Sequence, residues 1–221
     1  TACALARSAG DVLLGWFGRP IAVDRKDGDE PVTQADREAS ALIVEGLARA
    51  FPGDAVLSEE LPDDGARHRA RRVWMVDPMD GTKEFIRRED GFSVMIGLTD
   101  GARPVMGVVY HPATRRLFAA VRGEGAFVEE PDGTRRRLRV SAVDTLAQAR
   151  AVSSHSHRSA LLERLHAALG VAGDAQQGSV GLKAARIAAG ERDLYVNPSG
   201  RSKLWDACAP EALLVEAGGR L

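Results

Sequence analysis

Val73-Trp74-Met75-Val76-Asp77-Pro78-Met79-Asp80-Gly81-Thr82 opens as an apolar strand and closes on two carboxylates three residues apart. Four apolar residues running into Asp-Pro predict a buried strand that stops at Asp77. The proline fixes φ and offers no amide donor, so a stiff turn follows. The Met79 carbonyl falls between the two acids as a third oxygen. Gly81 lets the backbone approach an anion closely, and the amides of Gly81 and Thr82 would open the next helix toward a phosphate. A hard divalent ion such as magnesium takes an all-oxygen set of this kind. Taken alone, the same residues also describe an acidic turn with a capping aspartate.

Working outward, further acids fall at three more element ends. Ser58-Glu59-Glu60 follows a predicted strand over Ala55–Leu57, which puts two acids where open α/β sites collect, although exposed glutamate pairs are also common there. Thr33-Gln34-Ala35-Asp36 starts a helix, with Asp36 either a first-turn acid favoured by the helix dipole or part of a site. Trp205-Asp206 opens the last helix, where Asp206 reads as an N-cap or as a ligand.

The remaining pattern gives the architecture. Leu5, Ala9, Val12, Leu13, Trp16 and Phe17 predict an amphipathic helix over 2–17. Thr33 caps a second helix that buries Leu42, Ile43, Leu47 and Ala50. Asp24–Pro31 is a polar turn, and Pro62–Arg72 is exposed. Strands over Phe92–Thr99, Pro104–Tyr110, Leu117–Arg122 and Gly125–Val128 form an antiparallel meander. From about Arg150 strands and helices alternate: strand Ala151–Ser153, helix Ala160–Leu169, helix Leu182–Ala189, strand Leu194–Val196 and helix Asp206–Ala217. A boundary near 139–150 divides the chain into an α+β half, 1–140, which carries the acid motifs, and an α/β half, 141–221. The second half is expected to be incomplete, because Leu213–Leu221 runs from a helix into Gly218-Gly219 as a strand would begin. Thr1 is not an initiator methionine.

Composition narrows the function. The chain of 221 residues has a net charge of −1, which gives no global basic field for nucleic acid or membrane. The arginines at 67–72 and 135–139 read as solvated loops and strand ends. His68, His111 and His166 carry no motif and are expected at the surface. The two cysteines, Cys3 and Cys208, make no disulfide or zinc framework, so with no signal peptide visible a reducing cytoplasm is the expected compartment. No apolar run reaches the ~18 residues of a membrane span.

The four motifs together resemble the lithium-sensitive inositol monophosphatase superfamily, which includes fructose bisphosphatases and 3′(2′),5′-bisphosphate nucleotidases. They are Pro-Val-Thr-x-x-Asp, Glu-Glu, Asp-Pro-x-Asp-Gly-Thr and Trp-Asp, in that order along nearly the whole chain. The resemblance implies a layered αβαβα fold with the site between the α+β and α/β halves. Lys26 stands where inositol phosphatases hold a lysine. Four flanking segments favour the nucleotidase branch: Thr82-Lys83-Glu84-Phe85-Ile86, Ser154-His155-Ser156-His157, Gly178-Ser179-Val180-Gly181-Leu182-Lys183 and Leu204–Glu211. The implied substrate is adenosine 3′,5′-bisphosphate, a by-product of sulfate activation, with its sulfated precursor as a second candidate.

By the same resemblance, two magnesium ions ~3.5–4 Å apart would clamp an in-line displacement. Glu59, Asp77 and the Met79 carbonyl would hold the first, and Asp77, Asp80 and Asp206 the second. A metal-activated water would attack, oriented by Thr82, with Asp36 taking its proton and touching a third, weaker ion. Asp36, Thr82 and Glu59 are thus the implied catalytic residues. The implied substrate contacts are Asp80, Gly81, Thr82, Ser156, His157, Gly178, Ser179, Lys183 and Asp206. The alternatives are an inositol or sugar phosphate, a histidinol-phosphate-like substrate, or a non-catalytic homologue that binds metal or nucleotide. A monomer or homodimer without nucleic-acid partners is expected.

Overall fold

Helix α1 (Ala2–Trp16) forms because Ala2, Ala6, Ala9 and Leu13 recur on one face, and all four are buried. Helix α2 (Gln34–Ala50) lies beside it and buries Ala39, Ile43 and Leu47. Gly46 sets how closely the helices approach: a Cβ there would come within 2.3 Å of Leu5 Cδ2. The computed structural model describes residues 1–26, 30–154, 160–200 and 202–221.

The two helices cover one face of a seven-stranded sheet. Its strands are β3 (Ala55–Ser58), β4 (Arg72–Asp80), β5 (Ser93–Asp100), β6 (Arg103–His111), β7 (Arg116–Val121), β8 (Gly125–Glu129) and β9 (Arg135–Arg137). They follow in sequence order across the sheet. β3 and β4 pair in parallel, and every later pair is antiparallel. Alternation sorts the side chains: Val94, Ile96, Val108, Tyr110, Leu117 and Ala119 face α1 and α2. Met95, Val109, Phe118, Ala120 and Val128 face two later helices, α5 (Val180–Ala188) and α6 (Leu204–Glu216). Gly97 and Gly107 are paired across β5 and β6. They seat α6, since a Cβ on Gly97 would meet Cys208 Sγ at 2.5 Å and one on Gly107 would meet Ala209 O at 2.4 Å. The chain also forms a parallel pair, β10 (Arg150–Ser153) with β11 (Gly173–Gln176), and helix α4 (Ala160–Leu169).

The structure refines the sequence reading in several places. β4 does not stop at Asp77 but runs to Asp80, with one extra residue opposite β5 between the pairs Asp77↔Met95 and Asp80↔Ser93. Pro78, lacking an amide, turns the expected stop into a bulge. The polar turn at 24–31 is flanked by two short antiparallel strands, β1 (Val23–Arg25) and β2 (Pro31–Thr33). The arginines at 135–137 are solvated, as expected, and form the short edge strand β9. Leu194 makes a single parallel bridge to Ala151 in place of a strand over Leu194–Val196. His111, expected at the surface, is only partly exposed: its Nε2 lies 2.8 Å from Asp90 O and burial lowers its pKa. His166 likewise keeps only 12% of its side chain exposed. Among the described residues no helix is long and apolar enough to cross a membrane.

Candidate active site

The bulge in β4 aims Asp77, the Met79 carbonyl and Asp80 at one end of the sheet. Asp77 is buried, and its Oδ1 accepts the Met79 amide at 3.0 Å. Gly81 follows with φ +104°, and a Cβ there would strike Gly91 O at 2.7 Å, so the chain needs glycine to turn into the short helix α3 (Thr82–Ile86). Phe85 packs edge-on against Phe92, 5.1 Å between ring centres, and fixes α3 to the core. Thr82 Oγ1 lies 3.2 Å from Asp36 Oδ1 and 3.2 Å from the Met79 carbonyl. Asp36 is the third residue of α2 and is itself held by Thr33, whose amide and hydroxyl donate to Oδ2 at 2.8 and 2.6 Å. One capping box therefore fixes both the start of α2 and the Asp36–Thr82 pair.

Asp206 arrives from the other side. Helix α6 starts two residues earlier than the sequence predicts, with Lys203 as N-cap. Asp206 is therefore not the cap but the third helical residue, and its Oδ2 accepts the Lys203 amide at 2.8 Å. Trp205 packs against the Ala55, Leu57 and Val73 cluster, pinning this end of α6 to the β3–β4 side of the sheet.

These acids repel one another. Burial holds the Asp77 carboxyl well above its usual range, and Glu59, Asp80 and Asp206 each push it further. Asp206 is raised to about 7, by burial first and then by Asp80, Glu59 and Glu30. Burial also raises Glu60 to about 7 against the pull of Lys26, and raises Asp36. Asp80 is raised by burial, while Lys183, Ser179 and Gly181 pull the other way. Such a crowd of carboxylates calls for positive charge. Part of it is already present: Lys26 Nζ donates to Glu59 Oε1 at 2.8 Å and to Glu60 Oε1 at 2.6 Å. Among the described residues no three of these side chains close on a single point as a finished ligand cage. The donor set still fits a hard divalent ion, because it is all oxygen, anionic and short of cations.

A cleft of about 910 Å³ opens over the acids, with Glu59, Asp77, Asp80, Thr82, Lys183 and Asp206 among its lining residues. Its other walls include Leu161, Tyr195, Val196 and Pro198. Ser179 caps α5, accepting the Leu182 amide at 3.0 Å, and its hydroxyl donates to Asp80 Oδ2 at 2.5 Å. The Gly181 amide donates to the same oxygen at 2.8 Å. Gly178 is buried beneath, where a Cβ would meet Gly91 O at 2.4 Å and Glu84 Cγ at 2.6 Å. Lys183, one turn into α5, is 2% exposed and donates to the Gln177 carbonyl at 3.3 Å. Its ammonium sits 4.9 Å from the centre of the Tyr195 ring. Burial lowers the Lys183 pKa while Asp80 and Glu84 raise it. Ser156 and His157 lie outside the described residues. Tyr195 and Ser93, whose hydroxyl lies 2.9 Å from that of Ser179, were not singled out by the sequence. Tyr195 and Ser93 reach their places only through the tertiary fold, and no local pattern marks them.

Buried acids, an anion-sized glycine turn and a buried lysine in one cleft describe a phosphate-ester site on a layered α/β scaffold. The chain matches the inositol monophosphatase family over residues 1–221 and belongs to it. It is thus a phosphatase of a metal-dependent family. It is 38% identical over 225 residues to the 3′(2′),5′-bisphosphate nucleotidase CysQ of Salmonella typhimurium, covering 99% of this chain and 87% of that one. It is 35% identical to the histidinol-phosphatase of Mycobacterium tuberculosis, covering 100% of this chain and 85% of that one. The crystal structure of CysQ from Bacteroides thetaiotaomicron, a bacterial member of the inositol monophosphatase family, superposes with a TM-score of 0.81. That structure is 32% identical and covers 98% of this chain and 85% of its own. The layered fold expected from the sequence is the fold of this relative.

Proposed function

We propose that the protein removes the 3′-phosphate of adenosine 3′,5′-bisphosphate, with the sulfated form as a second substrate. The observation that carries this reading is the buried Lys183 ammonium in the cleft of the acid cluster. A monophosphate is served by the ions and the Gly81–Thr82 turn, whereas a substrate with a second phosphate needs a further cation, which Lys183 supplies. The near-full-length likeness to CysQ nucleotidases supports the same choice. The cleft draws its lining from both the 1–140 and the 141–221 parts of the chain, which we propose meet there as two halves.

Glu59, Asp77 and the Met79 carbonyl would hold one magnesium ion, and Asp77, Asp80 and Asp206 a second. When bound, the ions act as Lewis acids toward the phosphoryl group and make water acidic enough to attack. Thr82 Oγ1 orients that water and relays a proton to Asp36 Oδ1, which its burial prepares to receive one. A bond forms from the water oxygen to phosphorus as the P–O3′ bond breaks, and the leaving O3′ takes up a proton from solvent. The Gly81 and Thr82 amides hold the phosphoryl oxygens as charge moves onto them. Ser179 and the Gly181 amide keep Asp80 aimed at the cleft.

Lys183→Ala tests the assignment. It is expected to raise KM for adenosine 3′,5′-bisphosphate about tenfold or more, since a charge-assisted contact is lost. The KM for adenosine 3′-monophosphate is expected to stay near wild type. An unchanged KM for the bisphosphate would remove Lys183 from the site.

A further inference from the structure

We infer that Tyr195 is a positioning residue for substrate binding, its ring serving as a seat for the Lys183 ammonium; this rests on the phosphate-binding role proposed above for Lys183. Lys183 is buried on α5, and a long flexible chain in that position has several places to put its charge. Its ammonium is placed by two groups, the Gln177 carbonyl at 3.3 Å and the Tyr195 ring, 4.9 Å to the centroid. That separation is within the range where an aromatic face attracts a cation.

Both groups hang from one strand. The Gln177 amide donates to Ser153 O at 2.9 Å, and the Val152 amide donates to Leu194 O at 2.8 Å, so β10 fixes the residue before Tyr195 on one side and Gln177 on the other. Two residues before Tyr195, the Asp193 amide donates to Arg150 O at 2.9 Å. The Asp193 carboxylate accepts the Arg150 amide at 2.7 Å, Arg150 Nε at 2.8 Å and the Ser141 hydroxyl. Asp193 and Arg150 therefore act as a clasp that holds the Tyr195 segment against β10. The carbonyl and the aromatic face set where the ammonium sits, while the Asp80 and Glu84 carboxylates favour its charged form.

The ring, not the hydroxyl, is the working part, so the test compares Tyr195→Phe with Tyr195→Leu. Steady-state kinetics on adenosine 3′,5′-bisphosphate and adenosine 3′-monophosphate would be measured for both variants, for Lys183→Ala and for the Lys183→Ala/Tyr195→Leu double variant. Tyr195→Leu is expected to raise KM for the bisphosphate about fivefold or more with kcat little changed, as loss of a desolvated cation–ring contact requires. Tyr195→Phe should match wild type, the monophosphate KM should not move, and Tyr195→Leu should add nothing once Lys183 is alanine. If Lys183→Ala leaves the bisphosphate KM unchanged, the role of Lys183 falls and this inference with it. If Lys183→Ala raises KM but Tyr195→Leu does not, the ring is no seat and only the present inference is overturned. Additive effects in the double variant, or a Phe variant as impaired as Leu, overturn it in the same way and leave Lys183 in place.

Discussion

Asp80→Asn is expected to lower kcat about a thousandfold or more while the protein keeps its fold. Loss of one anionic ligand at a phosphoryl-transfer site removes several kcal/mol of transition-state stabilisation, and each 1.36 kcal/mol is about tenfold in rate. The fold should survive because the amide oxygen of asparagine can still accept from Ser179 Oγ and the Gly181 amide, which now donate to Asp80 Oδ2. The substitution also removes a charge that Asp77 and Asp206 both feel as repulsion. Without added magnesium, the variant should therefore melt at or above the wild-type temperature. It should lose part of the extra stability that magnesium gives the wild type. The checks are single-substrate kinetics and thermal melts with and without magnesium. Near-normal turnover would take Asp80 out of the metal site.

The second large effect is on stability as a function of pH in metal-free protein. Asp206 and Glu60 have folded-state pKa values raised to about 7, and Asp77 is raised as well. A carboxyl whose pKa is higher in the folded state favours folding when protonated. Its contribution is complete below the unfolded value near 4 and is lost as pH rises through the folded value. Chelated protein is thus expected to melt higher at pH 5 than at pH 8. Asp206 alone contributes on the order of a few kcal/mol, and Glu60, held by Lys26, adds less. For a chain of this size the difference amounts to about 5 °C or more. Asp54 and Asp100, whose pKa values arginine hydrogen bonds lower, act only below this window. Saturating magnesium should reverse the trend, because it binds the ionised cluster and stabilises the folded state by mass action. A melting temperature that is flat from pH 5 to 8 in chelated protein would mean that the carboxylates do not repel as described.

Much of this site could be read from the chain because its acids stand at element ends with strong local signals. The apolar run Val73–Val76 fixes β4, and the Asp77–Thr82 motif follows it without a gap. Thr33 and Asp36 form a capping box whose three-residue spacing is visible in any listing of residues, and its second carboxylate oxygen is the one that meets Thr82. Other features depend on partners far away in sequence. Gly173-Asp174-Ala175-Gln176 has no β-branched or aromatic residue and becomes β11 only because β10 offers a parallel edge. Leu194-Tyr195-Val196 has the composition of a strand, but Asn197-Pro198 follows at once and only Leu194 pairs. Asp206 resembled an N-cap because aspartate favours that position. Its carboxylate does accept a helix-start amide, but from Lys203 three residues earlier. Tyr195 could not be found locally at all, since its partner Lys183 lies on another element and only the fold joins them.

The most direct test of the proposed function is phosphate release with magnesium, comparing adenosine 3′,5′-bisphosphate, inositol 1-phosphate and fructose 1,6-bisphosphate at equal concentration. A kcat/KM for the nucleotide well above both others is the expected result. Preference for the inositol or sugar phosphate would contradict the nucleotidase assignment and the role given to Lys183. Release from none of the three would contradict the phosphatase site itself.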